Sequence, residues 1–427
     1  VYNTNTASQK QEFVLDASTS TGFIKFGKAL MPVFCEDTNT KNTIPKKYSF
    51  YEMLGIDNAE ELNIGANWAN SDIKNTVSAP LGIYGRNELL YLDLHEAAHG
   101  SHGLVAGKTG SGKSEVLLSY LVAMATRYSP YEVNFLIVDF KGGGMSDRLA
   151  KLPHLNASIT NIDGEDEGEI DSRIINRSLT AIRAESLRRQ DILRKAKAKD
   201  IGDYIEKYKN HKVDMPLPHL IIVVDEFAEL KMDQPDFMKV LISAARIGRS
   251  LGVHLILATQ KPSGVVDAQI WSNSKFKLCL KVQNKEDSNE VLKTPLAAEI
   301  KEPGRAYLQV GNNEIFELFQ SAYSGASAEM TDASEQKSFQ IFEVEHSGKI
   351  LEVYKKKKKK DTDGGKNQLE AIVDYIADYC KANQIERLPG ICLPPLEECI
   401  AYESNIEHKN GQDRVVRWGI YDDPNNQ

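Results

Sequence analysis

The chain has 427 residues, of which 41% are hydrophobic and 26% charged, and its formal net charge is −8. This composition is typical of a globular protein that is long enough for a sizeable core and, by length, for two to three domains. The acidic balance argues against a broad surface that holds a nucleic-acid backbone, although it leaves a local basic groove possible.

Cysteine content and hydropathy indicate the class of protein. The five cysteines are widely spaced and form no C-x-x-C pair. Their odd number argues against a closed set of disulfides, so a reducing compartment fits best. No apolar run approaches the roughly 20 residues that a membrane-spanning helix needs. No signal peptide is evident, and we expect a soluble piece of a longer protein.

The chain divides into three regions by its pattern. Residues 1–80 are mixed and polar with short β-like runs, and we predict a connecting or accessory region. Residues 81–324 alternate short β-branched runs with longer helical stretches, which is typical of an α/β fold with a mostly parallel sheet covered by helices. Residues 325–427 have a looser composition and are predicted to be a linker that leads to a following module.

The elements of the middle region can be placed along the chain. The predicted strands are Gly103–Ala106, Val133–Asp139, Ser158–Ile162, Leu220–Asp225, Leu255–Thr259 and Phe276–Val282. The predicted helices are Lys113–Thr126, Ile174–Lys195, Gln234–Leu251 and Lys285–Lys293. After them, RAYLQV and EIFELFQ flank Gly311-Asn312-Asn313 and are predicted to form a β-hairpin.

The stretch before the first helix contains HEAAH, in which His95, Glu96 and His99 match the H-E-x-x-H zinc-protease pattern. That chemistry needs both histidines on one face of a helix, with a third ligand further on. Gly100 and Gly103 follow at once, and Gly103 already opens a predicted strand. We therefore reject a zinc protease and predict a turn or short loop.

Directly after this loop, GKTGSGKS has the G-x-x-x-x-G-K-S spacing of a phosphate-binding P-loop. It lies between a predicted strand and a predicted helix, which is the context that the motif requires. Glycines let backbone N–H groups surround phosphates, and the helix N-terminus adds its positive dipole end. Lys113 is predicted to reach the β- and γ-phosphates, and the hydroxyl of Ser114 to bind Mg²⁺. The predicted ATP-binding residues are Gly107, Lys108, Thr109, Gly110, Ser111, Gly112, Lys113 and Ser114.

Two later strands end in polar residues that suit hydrolysis of ATP. The apolar run LIIVV ends in Asp225 and Glu226. We predict that Asp225 holds Mg²⁺ through water and that Glu226 is the general base for the attacking water. The strand HLILAT is followed by Gln260, which is predicted to sense the γ-phosphate. Surface acids and a strand cap are the structural alternatives for these residues.

The tail contains two features that stand out. Lys355 to Lys360 are six consecutive lysines, which indicate either a solvated linker or a patch for an anionic lipid or nucleic acid. Gln368–Ala382 has apolar residues on one side at helical spacing and is predicted to be an amphipathic helix.

Several segments beyond the P-loop resemble the FtsK/SpoIIIE ATPases and, more narrowly, the first ATPase module of the EssC/EccC ATPases of type VII secretion. The resemblance is densest between Leu81 and Ser324. It includes VDFKGGGM (138–145), LPHL (152–155), ITNIDG (159–164), RRQ (188–190), DEFAEL (225–230) and ARIGRSLGVHLILATQKP (245–262). It implies a RecA-like P-loop fold and use of ATP with Mg²⁺.

The resemblance also implies partners and a location. The full protein would be anchored by membrane segments outside this chain, with its ATPases at the cytoplasmic face of the cell membrane. It would form a hexameric ring with copies of itself, contact membrane components of the secretion system and export small helical-hairpin proteins. Nucleic acid is not an expected partner. A DNA translocase of the FtsK type and a nucleotide-binding structural module with little turnover are the alternative functions.

Ring ATPases of this kind use an arginine from a neighbouring subunit, which stabilises charge on the transferring phosphate. The position implied by the family's spacing is Arg177, counted back from the ESLRRQ stretch. A surface arginine in a weak ion pair is the structural alternative. Arg246 and Arg249 remain rival candidates.

Overall fold

The computed structural model describes residues 44–85, 88–139, 144–160, 172–233, 235–264, 274–328, 340–344, 350–355 and 365–392, together with Thr21, Ile24, Lys25 and Lys28. The chain divides into two units, Val1–Thr43 and Ile44–Gln427. The fold below is that of the second unit. Among the described residues, no helix is long and apolar enough to cross a bilayer.

Ten strands of this unit form one sheet. In chain order they are β1 (Ser78–Tyr84), β2 (Glu88–Asp93), β3 (His102–Ala106), β4 (Val133–Asp139), β5 (Leu155–Thr160), β6 (His219–Asp225), β7 (Val253–Thr259), β8 (Phe276–Leu280), β9 (Arg305–Val310) and β10 (Ile315–Ser321). Their order across the sheet is β2-β1-β10-β9-β8-β3-β7-β6-β4-β5. A separate hairpin joins β11 (Gln340–Val344) to β12 (Ile350–Lys355).

The sheet has a parallel half and an antiparallel half. The strands from β8 to β5 pair in parallel. The strands from β8 through β9, β10 and β1 to β2 pair antiparallel. The β9–β10 pair is the predicted hairpin, with Val310 opposite Ile315. The predicted α/β fold with a mostly parallel central sheet is confirmed.

Ten α-helices and two short 3₁₀ turns are described. The helices are α1 (Phe50–Leu54), α2 (Ile64–Ala69), α3 (Lys113–Arg127), α4 (Gly144–Leu149), α5 (Ser172–Lys195), α6 (Ile201–Lys209), α7 (Phe227–Asp233), α8 (Pro235–Gly248), α9 (Lys285–Leu292) and α10 (Gln368–Ala382), and the 3₁₀ turns are Ala59–Glu61 and Leu296–Glu299. Helix α3 has twelve buried residues, because it crosses the sheet from the end of the P-loop.

The central strands form because their sequences are continuously apolar. Every residue of β4 and β7 is buried, as expected of parallel strands covered on both faces. The third predicted strand was misplaced. It runs over Leu155–Thr160, not Ser158–Ile162. Its buried and partly exposed residues alternate, because β5 is at the edge of the sheet, and this alternation weakened the apolar signal. Residues 161 and 162 lie outside the described residues.

The predicted boundary at residue 80 does not coincide with the division in the structure, which falls between Thr43 and Ile44. Phe50, Ile64 and Trp68 are buried in the main hydrophobic core. Strand β1 already begins at Ser78 and pairs with β10. Helices α1 and α2 have five and six residues, so they are too short to show a helical period in the sequence.

Helix α10 is part of the same core. Its Leu369, Ile372 and Ile376 are fully buried. The side-chain oxygen of Gln368 accepts a hydrogen bond of 3.1 Å from the backbone N–H of Tyr51. These contacts bind the predicted linker helix to the core of the second unit. Of the lysine run, Lys355 ends β12 and residues 356–360 lie outside the described residues.

Three buried histidines make the stability of the core depend on pH. Burial lowers the pKa of His154 to about 4. Burial, followed by the charge of Arg189, lowers the pKa of His219 to about 3. Nε2 of His254 lies 2.8 Å from Nδ1 of His219, and burial followed by this neighbour holds the pKa of His254 well below its usual value. All three imidazoles are therefore neutral in the folded protein near pH 7.

We expect the free energy of unfolding to fall as the pH drops from 7.5 to 5.5. In this window the unfolded chain binds protons at these histidines, whose ordinary pKa is about 6.5, and the folded chain does not. The expected loss is about 1 kcal/mol for each histidine. Urea denaturation at several pH values measures it. The exposed His211 offers the control variant, His211→Asn, with which variants of the three buried histidines are compared. A free energy that is flat over this window would contradict the prediction.

Candidate active site

The P-loop follows the end of β3 and is held between the two neighbouring strands. The backbone N–H of Gly107 donates to Thr259 O at 3.1 Å, at the end of β7, and the N–H of Lys108 donates to Lys281 O at 2.9 Å, just beyond β8. Gly112 has φ of 95°, a conformation that side chains disfavour, and a Cβ on it would lie 3.0 Å from Gly304 N. Helix α3 begins at the next residue.

Lys113 lies at the centre of a buried charge cluster. Its Nζ is 2.5 Å from Oδ1 of Asp225 and 3.6 Å from Oε2 of Glu226. The side chains of Lys113 and Glu226 are only 7% and 6% exposed, so the ion pairs are screened little by solvent. An ammonium has three N–H donors, so the bond to Asp225 leaves donors for phosphate oxygens.

Glu226 follows β6 in a strained conformation. Its φ is 57°, in the left-handed region that residues other than glycine seldom adopt. Its Oε1 accepts hydrogen bonds from Thr259 Oγ1 at 3.2 Å and from the backbone N–H of Gln260 at 3.1 Å. These bonds hold the carboxylate at the end of β7, and its other oxygen faces Lys113 of the P-loop.

Gln260 is bound to the P-loop. The hydroxyl of Thr109 donates to the side-chain oxygen of Gln260 at 2.7 Å. This bond joins the loop that would surround the phosphates to the end of β7. The structure therefore brings together the predicted residues on three strand ends: Lys113 and Ser114 after β3, Asp225 and Glu226 at the end of β6, and Gln260 after β7.

The arrangement fits a nucleoside triphosphate with Mg²⁺. A Cβ on Gly107 would lie 2.6 Å from Ser111 Oγ, so the tight loop requires glycine there. Ser114 Oγ donates to Oδ2 of Asp225 at 3.3 Å. This places a hydroxyl beside a carboxylate, and such oxygen ligands are the ones that Mg²⁺ takes in proteins. Ser114 and Asp225 are the residues that would hold the metal.

The HEAAH stretch forms a turn, as predicted, and no helix. Nδ1 of His95 accepts from the N–H of Ala97, and Nδ1 of His99 accepts from the N–H of Asp93. Burial lowers the pKa of His99, which favours the neutral ring. Within the described ranges, no group of three or more possible metal ligands occurs.

The three candidate arginines lie in different surroundings. Arg177 is half-buried on α5, where its charge acts on the thiol of Cys392 and lowers that group's pKa against the larger raising effect of burial. Arg246 is exposed on α8. Arg249 is exposed and pairs with Glu96 at 3.3 Å.

Two contributors to the site were not predicted. Thr259 positions Glu226 through its hydroxyl. Gly304 donates its N–H to Ser111 O at 2.8 Å and so supports the P-loop from a segment about 190 residues away. The threonine directly before Gln260 is a usable signal, because it ends the strand beside Glu226. Nothing in the local sequence around Gly304 indicates its contact.

Residues 61–264 match the model of the FtsK/SpoIIIE family. The chain is 48% identical over 371 residues to the type VII secretion system protein EssC of Staphylococcus aureus strain Mu50, an alignment that covers 86% of this chain and 24% of EssC. It is 43% identical over 413 residues to the ESX secretion system protein EccC of Geobacillus thermodenitrificans, with 96% of this chain and 27% of EccC covered.

A solved structure supports the same relationship. The cytoplasmic domain of the type VII secretion ATPase EccC of Thermomonospora curvata superposes with a TM-score of 0.66 and 29% identity, over 82% of this chain and 36% of that one. The present chain thus spans about a quarter of the length of the curated relatives. Residues 61–264 form a P-loop ATPase domain of the FtsK/SpoIIIE family, and the chain is a relative of the EssC and EccC ATPases of type VII secretion.

Proposed function

We propose that this chain is an ATP-hydrolysing motor module, the first of its protein, in a type VII secretion system. The observation that carries the proposal is the assembly of Lys113, Ser114, Asp225, Glu226 and Gln260 at adjacent strand ends. The similarity to EssC and EccC supports the assignment to secretion, and the resemblance of DEFAEL and the β7 segment supports the first module.

In the proposed reaction, water attacks the γ-phosphate of ATP, the bond from the γ-phosphorus to the bridging oxygen breaks, and ADP leaves with that oxygen. Glu226 accepts a proton from that water, and Lys113 stabilises the negative charge on the transferring phosphate oxygens. Gln260 contacts the γ-phosphate and, through Thr109, reports its presence to the P-loop. Mg²⁺, held by Ser114 and Asp225, would neutralise charge on the β- and γ-phosphates.

We propose that copies of this module act in a hexameric ring and that Arg177 completes the site of the neighbouring copy. A positive charge supplied in trans to the transferring phosphate lowers the barrier to hydrolysis. An isolated copy would then bind ATP with Mg²⁺ and hydrolyse it slowly.

The proposed cellular role of this module rests on its similarity to the EssC and EccC ATPases of type VII secretion. The motor would be located at the cytoplasmic face of the cell membrane and anchored by segments outside this chain. Its hydrolysis would drive export of small helical-hairpin proteins through the membrane components of the secretion system. The net charge of −8 fits a protein substrate better than a nucleic acid.

We expect the ATPase rate per molecule to rise with protein concentration and Arg177→Ala to lower the plateau at least tenfold, because the arginine acts between copies. Steady-state hydrolysis over a concentration series measures both effects. Arg194→Ala is the control, since Arg194 is on the same helix, is 80% exposed and pairs with Asp191. Arg246→Ala and Arg249→Ala test the rival positions.

The outcomes separate the parts of the proposal. Fast turnover by a strictly monomeric sample would contradict action between copies. A loss of activity in Arg246→Ala or Arg249→Ala, with Arg177→Ala intact, would move the arginine finger to that position. No ATP hydrolysis at any concentration would contradict the enzymatic function itself.

A further inference from the structure

The sheet order determines on which side of the P-loop a nucleoside must lie. Strand β3 lies between β7 and β8, and Asp225, Glu226 and Gln260 are all on the β7 side. If the proposed function is correct, the γ-phosphate lies on that side. An extended triphosphate then directs its α-phosphate and nucleoside the opposite way, past the first turn of α3 and toward β9 and β10.

A cavity of about 1060 Å³ lies on that side. Gly112 and Glu115, at the start of α3, line it beside the P-loop. Its other walls come from distant parts of the chain, including Tyr48, Gly304 and Tyr323. This volume is at the upper end of the range of about 300–1,000 Å³ for small-molecule pockets, and the cavity adjoins the loop that would hold phosphates through Gly112.

Backbone pairing fixes the walls of this cavity. The N–H of Tyr323 donates to Tyr48 O at 2.8 Å, and the N–H of Phe50 donates to Tyr323 O at 3.1 Å. Ser324 Oγ donates to Oε2 of Glu115 at 3.3 Å, which ties this segment to the first turn of α3. The backbone around Tyr323 is therefore held at a defined position relative to the P-loop.

Gly304 lies where the P-loop meets the cavity, because its N–H bonds to Ser111 of the loop and it lines the cavity. Its φ is 73°, and a Cβ on it would lie 2.9 Å from Nε2 of Gln320. That amide is itself fixed, because Nε2 donates to Pro303 O at 2.9 Å. With no side chain at this position, a ligand can follow the backbone closely from Gly112 into the cavity.

Tyr323 has the features of a stacking surface. Its side chain is 53% exposed although its backbone is paired on both sides. Its ring lies beside Gly325, where a Cβ would be 2.5 Å from the tyrosine hydroxyl. An aromatic ring that is open to a cavity and held at its base offers the face that nucleobases stack upon.

We propose that this cavity is the nucleoside subsite and that Tyr323 binds the base of ATP by stacking. The assignment rests on the proposed ATPase function and adds to it the residue that holds the base. Tyr323 contacts the substrate outside the reacting atoms, so its role is in affinity and in the KM for ATP, and not in the chemical step.

The test compares ATP with inorganic tripolyphosphate, which has the phosphates and lacks the base. Binding of each, in the presence of Mg²⁺, is measured by calorimetry on the whole chain. Tyr323→Ala should weaken ATP binding about tenfold and leave tripolyphosphate binding unchanged. Tyr323→Phe keeps the ring and should bind ATP within about twofold of the wild type. Tyr208→Ala removes a half-buried tyrosine that does not line this cavity and should change neither.

Other results would overturn the assignment. Equal weakening of ATP and tripolyphosphate in Tyr323→Ala would show that Tyr323 acts on the P-loop and does not hold the base. Unchanged ATP binding would place the base elsewhere. Lys113→Ala should weaken both ligands, and a wild-type chain that binds neither would overturn the proposed function together with this subsite.

Discussion

Glu226→Gln is expected to lower the rate of ATP hydrolysis at least a hundredfold and to leave the affinity for ATP nearly unchanged. General-base catalysis contributes about 10²–10⁴-fold, and an amide of the same shape cannot accept the proton of the attacking water. The amide oxygen can still accept the bonds from Thr259 and from the N–H of Gln260, so the local structure should persist. The variant therefore separates chemistry from binding.

The measurement is steady-state hydrolysis together with calorimetric binding of ATP and Mg²⁺. Glu229→Gln is the matched control, because Glu229 is three residues further along in α7 and is exposed. It should retain the wild-type rate. An equal fall in both variants would indicate a general effect of charge near this strand end. A wild-type rate in Glu226→Gln would assign the base to another residue.

The central part of the fold was predictable because its physical signal is local. Strands buried on both faces are continuously apolar, and the predicted Val133–Asp139 is the observed β4. Helix α10 was predicted with its observed bounds, since it has a polar cap at Asn367 and a full apolar stripe. The elements before Ser78 were not predicted as helices, because a helix of five or six residues shows no period.

The candidate site also has a part that the local sequence predicts and a part that it does not. Lys113 and Asp225 lie in short motifs whose spacing already implies their chemistry, and the structure places their charged atoms 2.5 Å apart. Contacts made across the sheet had no local signal. Thr259 and Gly304 act on residues far away in the chain, and the positive φ of Glu226 depends on bonds from β7. These features arise only when the strands are brought together.

A residue that acts on a neighbouring copy is a third case, beside residues with a local sequence signal and residues whose contacts arise only in the folded chain. The role predicted for Arg177 requires the surface of a second subunit, which neither the sequence nor the fold of one copy contains. The single chain gives only its position on α5 and its half-buried state. The role of Arg177 as an arginine finger therefore stays a prediction, and the rate of ATP hydrolysis over a series of protein concentrations is the measurement that decides it.

Lys113→Met is expected to abolish ATP hydrolysis, with a loss of at least a thousandfold, and also to destabilise the ligand-free fold. The lysine lies between two carboxylates, and the side chains of its partners Asp225 and Glu226 are 16% and 6% exposed. Removing one partner from a buried ion pair leaves uncompensated charge at a cost of about 3–5 kcal/mol. Because Asp225 retains some contact with water, we expect about 3 kcal/mol, the lower end of that range.

A second substitution distinguishes charge from packing as the cause. Adding Asp225→Asn removes one of the two negative charges and should restore at least half of the lost free energy of unfolding, while hydrolysis stays abolished because Lys113 and the metal ligand are both gone. Urea denaturation of the single and double variants measures this coupling. Lys108→Met, a half-buried lysine of the same loop, should change stability by less than about 0.5 kcal/mol. If the double variant is no more stable than Lys113→Met, the loss of packing around the lysine stem is the cause. Repulsion between the carboxylates of Asp225 and Glu226 then contributes little to the loss of stability.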